Sequence, residues 1–385
     1  MLSDQQMLRI PGPTPIPPSV QRAMSQPMIG HRDRDTKELL RKIKPKLKPI
    51  FGTVQNVEIL AGSGTAGLEA AVINTVQPGD EVLVIVTGAF GERFVQICNA
   101  YNIITHQIHV SWGDAVTPEK VESYLQSHPS IKAVMATFCE TSTGVLNPIQ
   151  QLAKVIHQSS EALYIVDGVS SIGAIEANMD AWGIDILVTG SQKAFMLPPG
   201  LTFIAASSRA WEKIEANDQS RYYFDLRKYH HSSLLDSTPF TPSLTLLYGL
   251  EQVIKLLDQE GLANVFGRHD LMMKMMRAAF HNLGIPLLTS EKAASPTVTA
   301  IKPNTFQADE LRKVLKDTFG LVTAGGQGEL KGKIIRIGHM GYCSPTDILQ
   351  VISSIEIGLK MIGMDITLGK GTQAAQKIFL RSGKH

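Results

Sequence analysis

The chain has 385 residues, 43% of them hydrophobic, with 37 basic against 35 acidic residues and a formal net charge of +2. That length allows two domains, or a large and a small one, and the balanced charge gives no electrostatic case for nucleic acid or an anionic membrane surface. No apolar run reaches membrane-spanning length, and three widely spaced cysteines, Cys98, Cys139 and Cys343, form neither a disulfide framework nor a metal-binding pair.

The opening MLSDQQMLRIPGPTPIPP has no apolar signal core, which with the cysteine usage predicts a reducing, cytoplasmic setting. Residues 10–20 are too proline-rich for a helix interior and read as an arm. His31-Arg32 either line the mouth of a site or solvate a turn. Residues 36–51 carry Leu39, Leu40, Ile43, Leu47 and Ile50 at helical spacing, interrupted by Pro45 and Pro49. A short strand at 57–60 leads into Gly62-Ser63-Gly64-Thr65 and an amphipathic helix from residue 66. Small and hydroxyl residues at a helix start are an ordinary cap or an anion site, because free N–H groups and the helix dipole converge there. Residues 81–87 read as a buried strand ending in Gly88-Ala89-Phe90-Gly91. Phe90 is either a core residue or a cover for a planar ring. Strand-like runs at 103–110 and 131–138 alternate with helical runs at 118–126 and 148–157. This alternation argues for an α/β fold with one mostly parallel sheet.

Residues 162–166 are apolar and β-branched, the pattern of a strand buried on both faces, and the next residue is Asp167. A second run, 186–189, ends in Gly190-Ser191-Gln192-Lys193, followed by Pro198-Pro199-Gly200. In an open α/β sheet the strand C-termini face the ligand crevice, so Asp167 and Lys193 are expected in one crevice. Singly, each has an ordinary reading, as helix cap and surface lysine. Together they suit pyridoxal 5'-phosphate, with the lysine forming a Schiff base and the acid holding the pyridinium nitrogen.

Beyond this point, 201–206 reads as a strand and 209–216 as a helix. Residues 221–235 are polar and aromatic. Their His230-His231 pair has no third ligand at suitable spacing, so a solvated loop is expected and no metal site. Thr238-Pro239-Phe240-Thr241-Pro242 precedes a helical run at 244–257. From Gly261 a long helix (263–283), short strands (297–301, 333–337) and helices (307–318, 346–361) read as a compact α+β unit. Arg336, between Ile335 and Ile337, is either an edge-strand ion pair or a buried fork for a carboxylate. The tail after Gly363 is polar, its basic residues read as solvated, and it carries no assigned role.

Asp167, the Ser-Gln-Lys segment and the Pro11-Gly12-Pro13-Thr14-Pro15 run resemble the class V, fold-type I aminotransferases of the alanine/serine–glyoxylate branch. The resemblance spans nearly the whole chain, from Pro11 to about Gly363, and extends to cyanobacterial proteins labelled the small subunit of a soluble hydrogenase. It implies an N-terminal arm (1–20), a large cofactor-binding domain with a seven-stranded, mostly parallel sheet (21–260) and a small α+β domain (261–385). It implies a homodimer in which Thr241 reaches the partner's phosphate. Ser63, Gly64, Thr65 and Gln192 would hold the phosphate, Phe90 would stack on the ring, and Ser142 would lie near the phenolic oxygen. Lys193 would carry the cofactor, Asp167 would face the ring nitrogen, and the Gly12 backbone and Arg336 would take the substrate carboxylate.

Two rival readings were weighed. A cysteine desulfurase stacks histidine where Phe90 stands, and its mobile cysteine precedes the arginine, whereas Cys343 follows Arg336. A hydrogenase centre needs clustered thiolates. Arg336 is also the one arginine flanked by apolar strand residues, while Arg32 and Arg227 lie in polar segments. A distal carboxylate left without a buried partner is strongly disfavoured, so the expected substrates are small: alanine or serine as donor, glyoxylate or pyruvate as acceptor.

Overall fold

The computed structural model describes residues 6–383. Its central sheet has seven strands: β1 Val57–Gly62, β2 Glu81–Val86, β3 Ile104–His109, β4 Ala133–Thr137, β5 Leu163–Asp167, β6 Ile186–Gly190 and β7 Gly200–Ala206. They lie in the order β1-β7-β6-β5-β4-β2-β3. Only β7 runs antiparallel to its neighbours. Strands β4, β5 and β6 are buried along their whole length, as their unbroken apolar runs require.

Alternate residues feed the two faces of the sheet. Leu83, Ile85, Val134, Ala136, Tyr164, Val166 and Leu187 point to one core. Val82, Val84, Ala133, Met135, Ile165, Ile186 and Val188 point to the other. The first face is covered by helix α1 (Arg34–Phe51) and by a later helix at Leu244–Glu260; the second is covered by α2 (Gly64–Thr75) and α3 (Ala89–Ala100). With helices on both faces, the crevice is left at the strand ends, which is where β5 delivers Asp167 and β6 delivers the Lys193 turn.

Beyond the long helix α4 (Leu244–Glu260) come α5 (Leu262–Leu283), β8 (Val298–Ile301), α6 (Ala308–Phe319), β9 (Ala324–Gly325), β10 (Ile335–Gly338), α7 (Pro345–Met361) and α8 (Lys370–Arg381). The three strands form an antiparallel sheet in the order β8-β10-β9, packed on its own apolar core of Met272, Met276, Leu311, Ile337, Val351 and Ile355. The arm ties the two sheets together. Met7–Leu8 pairs in parallel with Leu321–Val322, and Gly338 N–H donates to the Arg9 carbonyl at 2.7 Å.

Three segments differ from the sequence reading. Helix α1 is continuous through both prolines. Pro45 and Pro49 fall on its exposed side, where the carbonyls they orphan meet water, while Leu39, Leu40, Ile43, Leu47 and Ile50 are buried on the other side. The expected loop at 221–235 contains a nine-residue helix, Leu226–Leu234, whose N-cap Asp225 accepts from Arg227 N–H and which buries Tyr229. Its His230 Nδ1 lies 2.9 Å from the buried Glu58 Oε1, so this histidine has a partner rather than a solvated position. The polar tail forms α8, which docks through Gly371, Ala374 and Ala375. Buried Glu356 anchors its first turn by accepting from Gly371 N–H and Thr372 Oγ1 at 2.7 Å each.

Candidate active site

The crevice at the strand ends holds a cavity of about 260 Å³ lined by Gly12, Ser63, Gly64, Thr65, Phe90, Arg93, Asp167, Gln192 and Lys193, among others. Eight of these nine were anticipated from the sequence; Arg93 was not. A larger groove of about 1150 Å³ runs between the arm and residues 341–350 and contains none of the anticipated residues. Its two arginines are paired within the protein, Arg9 with Asp347 and Arg268 with Glu260.

Asp167 and Lys193 are 2% and 7% exposed. Asp167 ends β5, and one of its oxygens accepts from Val169 N–H at 2.9 Å, which fixes the carboxylate and leaves the other oxygen for a ligand. Burial lifts its pKa from 3.8 to about 6, with the Val169 N–H pulling the other way. Burial also lowers the Lys193 amine to about 8, so it gives up its proton far more readily than an exposed lysine.

The arm closes over this lysine. Lys193 Nζ donates to the Pro11 carbonyl. Thr14 Oγ1 donates to the Lys193 carbonyl at 2.8 Å, and Thr14 N–H to the Gln192 carbonyl at 3.1 Å. Gly12 has φ +118°, and a Cβ there would stand 2.6 Å from Lys193 Cδ. Glycine is needed on both counts, the left-handed backbone and the close passage of the lysine chain.

At the other end of the cavity, α2 starts with Ser63 as N-cap, yet no side chain caps it. Its first N–H groups and the Ser63 and Thr65 hydroxyls therefore face the cavity. Gln192 Oε1 is buried here with no partner among the described residues. A half-turn of that amide brings its N–H₂ to the same place. An uncapped helix end beside an unsatisfied amide fits an anionic ligand, and the donor set fits a phosphate ester.

Phe90 lies on the first turn of α3, at the C-terminal side of β2. That turn is held by Glu140, to which no role was assigned from the sequence. Glu140 is fully buried and accepts from Phe90 N–H, Gly91 N–H, Ser142 N–H and Ser142 Oγ at 2.5–3.3 Å. Burial raises its pKa despite these donors.

The model of the class-V aminotransferase family matches residues 10–351. This chain belongs to the class-V aminotransferases. A protein of a Synechococcus species named soluble hydrogenase, small subunit, is 39% identical over 381 residues, covering 98% of this chain and 99% of its own. The L-aspartate–glyoxylate aminotransferase of Paracoccus denitrificans is 35% identical over 382 residues, covering 98% of this chain and 96% of its own. The crystal structure of pyridoxamine–pyruvate aminotransferase from Mesorhizobium loti is 30% identical, with a TM-score of 0.93 across 99% of this chain and 98% of that one.

Three anticipated residues of this class-V aminotransferase lie outside the cavity wall. Ser142 Oγ is occupied twice, donating to Glu140 at 2.5 Å and accepting from Ala89 N–H at 3.0 Å. Arg336 is buried on β10 and donates through Nε to the Gly325 carbonyl at 2.8 Å and through Nη1 to the Thr141 carbonyl at 2.9 Å, which leaves Nη2 outside these two contacts. Burial lowers its pKa to about 10, and its charge helps depress Lys193. Thr241 is exposed, beside a small apolar pocket containing Tyr223 and Phe240. Arg32 donates to the Thr238 carbonyl, Arg227 pairs with Asp225, and neither lines the cavity. All three cysteines are buried, and burial raises their thiols to about 12 for Cys98 and about 11 for Cys139 and Cys343. Thiols held so far from ionisation are poor nucleophiles, which speaks against desulfurase chemistry. Among the described residues, no group of three or more His, Cys, Asp or Glu is arranged to hold a metal, and no helix is long and apolar enough to cross a membrane.

Proposed function

We propose that this aminotransferase uses pyridoxal 5'-phosphate and moves an amino group from alanine or serine to glyoxylate or pyruvate. One observation carries the reading: a buried lysine and a buried aspartate, from adjacent strand ends, share a cavity with an uncapped helix N-terminus. When bound, the cofactor supplies the aldehyde that takes up the amino group and the ring that accepts electrons from the substrate Cα. Lys193 is the attachment point. With the cofactor bound, the Lys193 amine, already eased towards neutrality by burial, would be the base that takes the substrate Cα proton and gives it back. Asp167 keeps the ring nitrogen protonated. Ser63, Gly64, Thr65 and Gln192 hold the phosphate, and Phe90 covers the ring. The Gly12 backbone and Arg336 would take the substrate carboxylate.

The exposed Thr241, with Met28, Tyr222, Leu234 and Leu235 exposed on nearby segments of the chain, supports a homodimer in which Thr241 completes the partner's phosphate site. The arm (1–20), a large domain (21–260) and a small domain (261–385) are the units proposed. A cytoplasmic location is the setting that three buried, unpaired cysteines favour.

The test is a screen of amino donors and keto acids on purified protein. Alanine or serine with glyoxylate or pyruvate should give the highest turnover. Arg336→Ala should raise KM for donor and acceptor alike, by about tenfold to a hundredfold, the worth of a charged hydrogen bond. Arg336→Lys should recover part of this, since lysine lacks the planar fork. Robust turnover with aspartate and none with alanine or serine overturns the substrate assignment.

A further inference from the structure

We propose that Arg93 is the counter-ion of the cofactor phosphate, an inference that rests on reading the cavity as a pyridoxal-phosphate site. A phosphate ester carries a charge of about −1.5 to −2 near neutral pH. The groups assigned to it above, which are hydroxyls, backbone N–H groups and one amide, are all neutral. Lys193 and Arg93 are the two cationic residues lining the cavity, and Lys193 is turned away to the Pro11 carbonyl. Among the described residues, Arg93 is therefore the one positive group lining the cavity at the phosphate end.

Its placement follows from helix geometry. Arg93 follows Phe90 by three residues on α3, so both side chains leave the same face. The guanidinium carbon stands 4.5 Å from the centroid of the Phe90 ring. From that platform Nη1 donates to Thr65 Oγ1 at 3.2 Å, which brings the charge to the first turn of α2. The cation thus sits beside the uncapped helix end, and its fork suits two oxygens of one phosphate. Phe90 then has two tasks, covering the ring and aiming the arginine, and Glu140 holds the turn that carries both.

The experiment compares two aldehydes on cofactor-stripped protein: pyridoxal 5'-phosphate and pyridoxal, which lacks the phosphate. Equilibrium binding of each is followed by absorbance for the unaltered protein, Arg93→Gln and Arg93→Lys. Arg93→Gln should weaken the phosphorylated aldehyde by about tenfold to a hundredfold, as loss of a charged hydrogen bond does, and leave pyridoxal nearly unchanged. Arg93→Lys should fall between. Retained pyridoxal binding also certifies that the variants are folded. Equal weakening of both aldehydes overturns the proposal and makes Arg93 a support for the Phe90 ring. Unchanged binding of both overturns it, because a phosphate counter-ion cannot be lost without weakening the phosphorylated aldehyde. If the unaltered protein itself prefers neither aldehyde, the cofactor reading fails rather than the role of Arg93.

Discussion

The Lys193 end of the cavity and the surface around Thr241 are built on opposite terms. Around Lys193 everything is supplied by one chain: the arm lies over it, two buried carbonyls fix Thr14, and a glycine leaves room for the lysine chain. Around Thr241 the chain leaves apolar side chains in water, with Tyr222 73%, Leu234 63% and Leu235 61% exposed. Proton transfer needs fixed distances, and a buried, self-contained frame provides them. An exposed apolar patch is stable only when something covers it, and a second copy of the chain would cover it here. The contrast separates a centre that makes its own environment from a rim whose apolar side chains the chain itself leaves in water.

The strongest way to break this contrast is at the lysine. Lys193→Ala should reduce transamination by ~10⁴ or more, the upper end of what a positioned base contributes, with the fold intact. Borohydride reduction of the loaded protein followed by peptide mapping should mark Lys193. A mark on any other lysine removes it from the centre.

Asp167 sharpens the contrast through pH. Asp167→Ala should slow turnover by ~10²–10⁴ and loosen the cofactor; near-native turnover would reduce the carboxylate to a turn former. In the cofactor-free protein its effect on stability has the opposite sign. Asp167 binds its proton more tightly in the fold, near pH 6, than an ordinary aspartate does at 3.8. Its contribution is most favourable below 3.8 and is lost as pH rises through 6. Asp167→Asn should therefore stabilise the cofactor-free protein above pH 6 by up to about 2–3 kcal/mol. The advantage should shrink as pH falls from 6 towards 4. Denaturant midpoints measured across that window check it, and an advantage independent of pH counts against the buried carboxylate.

The smallest effect belongs to the rim. Thr241→Ala should weaken cofactor binding by only about threefold to tenfold, one neutral hydrogen bond's worth. Sedimentation should find the loaded protein dimeric. A monomer that binds cofactor tightly and turns over would end the shared-site reading.

The sheet and the shared placement of Asp167 and Lys193 were legible because strand burial writes itself as unbroken apolar runs, and the residues after such a run lie at the crevice. Asp167 and Lys193 were singled out by standing at two such strand ends together, with Ser191-Gln192 before the lysine and Pro198-Pro199-Gly200 after it. Phe90 and the Ser63-Gly64-Thr65 cradle were legible as positions but not as choices, since the same residues serve a plain helix cap or core. Glu140 and Arg93 stayed hidden. A glutamate within a Thr-Ser-Thr-Gly turn looks solvated until the α3 N-terminus closes over it. An arginine one turn into a helix looks like surface until its partner, Thr65, is seen 28 residues away in sequence. Helix α1 was obscured by two prolines that matter only if they face the core. The Leu226–Leu234 helix and α8 were missed because their stability comes from docking rather than from their own apolar content.

The arm also sets an order of assembly. Pro11 and Thr14 are made early, yet their partners at Gln192 and Lys193 follow some 180 residues later, and the strand partners of Met7 and Leu8 only at Leu321 and Val322. A chain emerging from the ribosome can close the seven-stranded sheet well before Met7 and Leu8 have strands to pair with. Until residue 338 is released, the arm is held only by its contacts at Gln192 and Lys193, and Arg9 lacks Gly338. The stretch Met7–Arg9 thus takes its place only after most of the chain has been made, whereas the contacts of Pro11 and Thr14 with the centre form within the large unit.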